Sequence, residues 1–196
     1  MRTTPLDPGA CALFLMATFV LAGIAQVTWL ASSASRALAT PIDGGRTFRG
    51  RRLLGDNKTW RGFVVMVPAS ACAFFLVSRV ALHGTPEAFG LWRLTAVQYA
   101  LLGAWAGLGF MLGELPNSFV KRQLDIAPGQ LTTNRAAAVG QLAFDRVDSG
   151  LGMLIAIGLV VPLPWQTWVL VLLLGWSLHW AFSLVLFWLR VKPRAA

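Results

Sequence analysis

Residues 61–79, "RGFVVMVPASACAFFLVSR", run from one arginine to the next without a charge between them. Crossing a hydrocarbon core of roughly 30 Å takes about 17 to 25 helical residues, and this run supplies them. Outward from it, the same kind of gap recurs between Asp7 and Arg36 and between Arg93 and Glu114. After Asp148 the next charge is Arg190, and Pro162-Leu163-Pro164 divides that run into a span ending near Val161 and a last one from Gln166 to Leu189. The pattern predicts an all-α integral membrane bundle of about five transmembrane helices, a single polytopic domain over residues 1–196.

Composition points the same way. Of 196 residues, 56% are hydrophobic and 13% charged, whereas a soluble domain carries roughly 25% charge. The formal charge of +9 invites a nucleic-acid reading. The cations, however, sit between uncharged runs, where basic loops beside a cytoplasmic leaflet are expected, so no nucleic-acid partner is inferred. Cys11 and Cys72 fall in separate spans without ligand-like spacing and read as small apolar residues. Arg2 and the small residues Ala31-Ser32-Ser33-Ala34 resemble parts of a signal peptide, but the uncharged run exceeds an ordinary signal core and Asp7-Pro8 interrupts its approach.

Five spans put fourteen of the 17 basic residues on one side, leaving Arg2, Arg79 and Arg93 on the other. The positive-inside rule makes the rich side cytoplasmic, which predicts a multi-pass protein of the plasma or inner membrane with its N-terminus outside. Six of the eight acids, Asp43, Asp56, Glu114, Asp125, Asp145 and Asp148, share the cytoplasmic side, so the catalytic loops are sought there.

Three elements carry candidate chemistry. "FDRVDSGLG" sets Asp145 and Asp148 three residues apart, on one face of a helix, with Ser149 one turn after Asp145. Counting back from Pro162 starts this span near Ala143, which brings both carboxylates to the headgroup level. There a divalent cation, Mg²⁺ above others, would offset their burial; an Asp-Arg interfacial anchor with Ser149 as a helix cap is the alternative. In "GELPNSFVKR", Pro116 is expected to stop or bend the third span after Glu114, with Asn117 and Ser118 capping a new segment. Ser118, Lys121 and Arg122 then fall on one turn, suited equally to phosphate oxygens and to anionic headgroups. The third element, "IDGGRTFRGRRLLGDNKTWRG" from Ile42 to Gly62, mixes glycines and cations with Asp56, Asn57 and Thr59 but lacks the P-loop pattern. Its alternative is a basic surface loop drawn to anionic lipid. Together the three suggest a cationic cradle facing a carboxylate-metal site, with a polyphosphate brought to a lipid phosphate.

The segment "DGGRTFRGRRLLGDNKTWRG" resembles the signature of the CDP-archaeol synthases, and "SFVKR" and "FDRVDS" resemble the Ser-x-x-Lys-Arg and Asp-Arg-x-Asp elements of the wider phosphatidate cytidylyltransferase family. The resemblance implies CMP transfer from CTP to a lipid phosphate, archaetidic acid-like or phosphatidic acid, with Mg²⁺ as cofactor and a CDP-lipid and pyrophosphate as products. By motif position it implies roles for Asp56, Asn57, Lys58 and Thr59, for Ser118, Lys121 and Arg122, and for Asp145 and Asp148 as the metal-associated pair. Glu114 is a further metal candidate, and Lys58, Lys121, Arg122 and Arg61 are the expected phosphate contacts. Self-association into a homodimer stays open.

Departures from the family pattern are visible. Glu114 stands where an Asp is usual, no Lys-Asp follows in "KRQLDIAPGQL", and Val139-Gly140-Gln141 replaces His-Gly-Gly. The CDP-alcohol phosphotransferase pattern is absent beyond the Asp-Gly of "IDGGR", and a transporter's mid-membrane acids and broken paired repeats are not seen. The remaining alternatives are another enzyme of phosphorylated lipids or a scaffold without turnover.

Overall fold

The caps that flank the apolar runs set where helices begin. Asp7 accepts the amide of Ala10 at 2.6 Å with Pro8 in the first turn, and Thr95 and Gln98 form a reciprocal capping box. The computed structural model describes residues 5–80, 85–130, 132 and 135–188. It contains α1 (Pro8–Ala31), a hairpin of β1 (Thr47–Phe48) and β2 (Arg51–Arg52), then α2 (Trp60–Val80), α3 (Ala96–Gln123), α4 (Arg135–Gly158) and α5 (Trp165–Trp188). The hairpin is antiparallel, with Thr47 opposite Arg52 and Phe48 opposite Arg51.

Each helix packs against its neighbours in sequence, and α5 returns to α1, so the bundle closes as a ring. The helices α1, α2 and α3 are each long and apolar enough to cross a membrane, and Trp165–Leu178 of α5 forms a shorter apolar stretch. The chain is therefore a multi-pass membrane bundle of five helices, three of them of full span length among the described residues. Arg2, Arg190, Lys192 and Arg194, which entered the charge asymmetry, lie outside the described residues.

Burial is polarised along the bundle. At the end away from the basic loop, Phe14, Phe74, Trp92, Tyr99, Leu154 and Ile157 form a packed core, where Phe14 meets Phe74 edge to face at 5.1 Å. Its polar atoms are satisfied locally: the Tyr99 hydroxyl donates to the Trp92 carbonyl at 2.8 Å, and the Trp92 indole to the Pro162 carbonyl at 2.7 Å. Nearer the loop only a small cluster of Ala22, Met66 and Met111 remains. The far end holds the helices together and leaves the loop end to polar groups.

Two expectations are corrected. α3 runs through Pro116 to Gln123, so Asn117 and Ser118 are interior helical residues and cap nothing. Proline removes one amide from the ladder, a loss that a helix held between α2 and α4 tolerates. Likewise α4 begins at Arg135, about two turns before Ala143, so Asp145 and Asp148 lie well inside it. Gln141 stabilises this earlier start by accepting from the Thr132 amide at 3.0 Å and donating to the Gln130 carbonyl at 2.9 Å.

Candidate active site

The basic loop is organised around Asp43, a residue to which the sequence assigned no role beyond its side of the membrane. Its carboxylate accepts the amides of Gly45, Leu54 and Gly55 at 3.1, 3.0 and 3.2 Å and the guanidinium of Arg52 at 2.7 Å. Flanking it, Ile42 and Lys58 pair through the backbone at 2.8 Å, as do Trp60 and Thr40 at 3.1 Å. Burial alone would push the Asp43 carboxyl up; Arg52 and the three amides overcome this and hold it well below the usual carboxylate range. A carboxylate depressed on folding contributes stability that is complete above its unfolded pKa, about 4, and is lost as pH falls through its folded value. Asp43→Asn should therefore destabilise the loop at neutral pH, by about 1–3 kcal/mol, and flatten the acid limb of a thermal-stability profile; an unchanged limb would show that the hub contributes nothing.

This stitching fixes the direction of Lys58. Its ammonium pairs with Glu114 of α3, whose other oxygen accepts from the Ser149 hydroxyl of α4 at 2.8 Å. One turn along α3, the Asn117 amide nitrogen donates to both Asp145 and Asp148, at 2.7 Å each. A further turn along, Lys121 pairs with Asp145. Glu114, Asn117 and Lys121 follow helical spacing and so share a face; Asp145, Asp148 and Ser149 form the opposing face of α4.

The ion pairs are unequal. Asp145 and Glu114 each have a lysine, whereas Asp148 is held by the neutral donors Asn117 and the Ser149 amide, the latter at 2.7 Å. Asp148 is thus the carboxylate with charge left to balance. Two carboxylate oxygens converging on one amide nitrogen also fit a divalent cation, since Mg²⁺ is commonly held by one or two carboxylates with substrate phosphates. Among the described residues no group of three His, Cys, Asp or Glu forms a metal cage, and Glu114 is engaged by Lys58 and Ser149.

Arg122 follows Lys121 on α3, and its Nε and Nη1 are buried with no hydrogen-bond partner among the described residues. Gly55 packs against it: a Cβ there would sit in ordinary contact at 3.4 Å from the Arg122 side chain, and it is the φ of +90° that calls for glycine. Ser118 and Thr59 are buried nearby in chain position, each 8% exposed. Asp56 and Asn57 are exposed, and Asp56 pairs with Arg52 at 2.8 Å instead of joining the carboxylate pair. Arg61 stands at the start of α2, its carbonyl accepting the Trp29 indole at 3.1 Å. Arg146 does not anchor the acids; it lies over the Trp176 ring at 5.5 Å.

The sequence reading missed Asn117. Its spacing of three from Glu114 and four to Lys121 would have placed it on the site face had Pro116 been read as helical. Asp43 had no such local signal, because its partners lie up to twelve residues along the loop.

Fold and site together define a polytopic helical membrane protein with a lysine-carboxylate centre at one end of its bundle. The chain belongs to the CDP-archaeol synthase, CarS-like, family, whose profile matches residues 14–194. Among curated relatives, the CDP-archaeol synthase of Thermococcus kodakarensis is 44% identical over 45% of this chain and 48% of its own. That of Halobacterium salinarum is 35% identical over 62% of this chain and 61% of its own. These alignments thus span about half to three-fifths of the relatives' length. A solved intramembrane enzyme for archaeal membrane lipids biosynthesis superposes with a TM-score of 0.55 at 25% identity, covering 83% of this chain and 90% of that one.

Proposed function

We propose that the protein transfers CMP from CTP to a lipid phosphate at the membrane surface, releasing pyrophosphate and forming a CDP-lipid. The observation that carries this is the cluster at one end of the bundle in which Lys58 meets Glu114, Lys121 meets Asp145, and Asn117 bridges Asp145 and Asp148, with two buried, unpartnered nitrogens of Arg122 one residue beyond Lys121. The relatives named CDP-archaeol synthase favour an isoprenoid ether lipid phosphate as acceptor; phosphatidic acid is the acyl counterpart.

In this reaction an oxygen of the lipid phosphate attacks the α-phosphorus of CTP and pyrophosphate leaves. The attacking oxygen is already ionised near neutral pH, so the barrier lies in bringing two polyanions together and aligning them. Arg122 has two desolvated nitrogens without a partner, and a substrate phosphate would supply one. Lys58 and Lys121 hold carboxylates in the absence of substrate and can exchange them for phosphate oxygens. Thr59 and Ser118 add hydroxyls, and exposed Asp56 and Asn57 stand where the nucleoside end can be met. Asp145 and Asp148 would hold Mg²⁺, which would supply charge neutralisation toward the substrate phosphates.

The site loop would face the cytoplasm, with all five helices spanning. Sealed membrane vesicles given radiolabelled CTP, Mg²⁺ and each acceptor test both parts. Labelled lipid should form in inside-out vesicles and only weakly in right-side-out ones. No labelled lipid from either acceptor in detergent would reject the activity, and the reverse sidedness would reject the topology.

A further inference from the structure

Below the basic loop, Val64, Val65, Pro68 and Ala69 of α2 and Trp29 of α1 line an open groove of about 190 Å³. Nothing in its lining is charged, and Val64 is 48% exposed, so in a bilayer the groove opens on hydrocarbon. Its position relative to the loop is fixed by the Trp29 indole, which donates to the Arg61 carbonyl at 3.1 Å.

Helical spacing links this groove to a cation. Arg61, Val65, Pro68 and Ala69 follow one another at intervals of four, three and one, which keeps them on one face of α2. No ion pair to Arg61 forms among the described residues, unlike Lys58 and Lys121. From Arg61 to Ala69 the helix rises roughly 12 Å. A cation heading an apolar groove in the membrane matches a molecule with an anionic head and a hydrocarbon tail.

We propose that this α1–α2 groove seats one chain of the acceptor lipid phosphate, with Arg61 at its mouth receiving the phosphate; the assignment rests on the CMP-transfer reading. The groove is smaller than the roughly 300–1,000 Å³ of a pocket that encloses a whole small molecule, so it takes a segment of one chain and leaves the second in the bilayer. Arg61 then serves the lipid phosphate, while Arg122, against Gly55 of the basic loop, is left for the nucleotide. Bilayer lipid alone would also fill an apolar groove; preference for the charged head is what separates the two.

The test uses the full chain in nanodiscs with a dialkylglycerol phosphate carrying a diazirine partway down one chain. Photolysis and peptide mapping should place adducts at Trp29 and between Val64 and Ala69. Unlabelled dialkylglycerol phosphate should displace them, and the uncharged dialkylglycerol with the same chains should not. Arg61→Gln should lower this displaceable labelling roughly ten-fold. Equal displacement by the uncharged lipid, or adducts spread evenly along α5, would overturn the assignment.

A kinetic arm separates this inference from the reading beneath it. Val65→Phe and Ala69→Phe, which fill the groove, should raise KM for the lipid phosphate roughly ten-fold and leave KM for CTP unchanged. Wild-type transfer with both variants unaltered overturns the groove alone. Absence of transfer by the wild-type chain overturns the activity, and the photolabelling of that same chain still decides whether the groove selects a lipid phosphate.

Discussion

Asp148→Asn is expected to lower CMP transfer roughly a thousand-fold while the bundle stays folded. Asp148 is the site carboxylate without a lysine, held by Asn117 and the Ser149 amide. An asparagine there keeps the volume and one accepting oxygen, so one of these bonds survives and packing is preserved. What disappears is the negative charge that a divalent cation would need beside Asp145. Radiolabelled CTP measures the transfer, and a thermal melt with and without Mg²⁺ measures the fold and the ion separately. The variant should also lose any Mg²⁺-induced rise in melting temperature. Asp125→Asn is the control, because Asp125 pairs on the surface with Arg51 at 2.5 Å and its side chain is 66% exposed. Normal turnover and normal Mg²⁺ dependence in Asp148→Asn would reduce the carboxylate pair to a structural clasp.

Gly113→Ala should disrupt stability and transfer together. At Gly113, α3 and α4 meet backbone to backbone: an added Cβ would lie 2.4 Å from the Asp148 carbonyl oxygen and 2.9 Å from the Gly152 Cα. No flexible side chain is there to move aside, so the helices must separate. Overpacking of this kind costs about 1–3 kcal/mol, and close packing over glycine is a main source of helix association in a membrane. The consequence for the site follows from position. Asn117, one turn further along α3, reaches both carboxylates at 2.7 Å, and a separation of about 1 Å would leave those contacts beyond hydrogen-bond range. A lowered melting temperature with transfer reduced at least roughly a hundred-fold is the expected result, since misplacement by about 1 Å costs that much. Gly175→Ala in α5, where an added Cβ meets nothing within 4 Å, should leave both intact. Full transfer by Gly113→Ala would mean that the α3–α4 spacing does not set the site.

The sequence by itself determined the long apolar helices of a membrane bundle, the end of that bundle that collects charge, and the residue types available there. Those properties are local: an uncharged run of sufficient length must be helical in hydrocarbon because its backbone has no other hydrogen-bond partners, and helical spacing alone puts Asp145 and Asp148 on one face. The loop's motif residues were legible for the same reason, as a pattern in consecutive positions. Only the tertiary structure decided which of them meet. Pro116 looked like a boundary because a proline's effect on an isolated helix is to break it; neighbours on both sides keep α3 continuous and thereby deliver Asn117 to the carboxylates. Glu114 pairs with Lys58 across 56 residues of chain, and Asp43 gathers amides and Arg52 from around the loop. Such contacts depend on how closely helices approach and how a loop closes on itself, and the approach of α3 to α4 is set by glycine backbones whose partners no local pattern names. The burial of two Arg122 nitrogens without a partner belongs to the same class, since desolvation is a property of everything packed around a side chain and not of its neighbours in sequence.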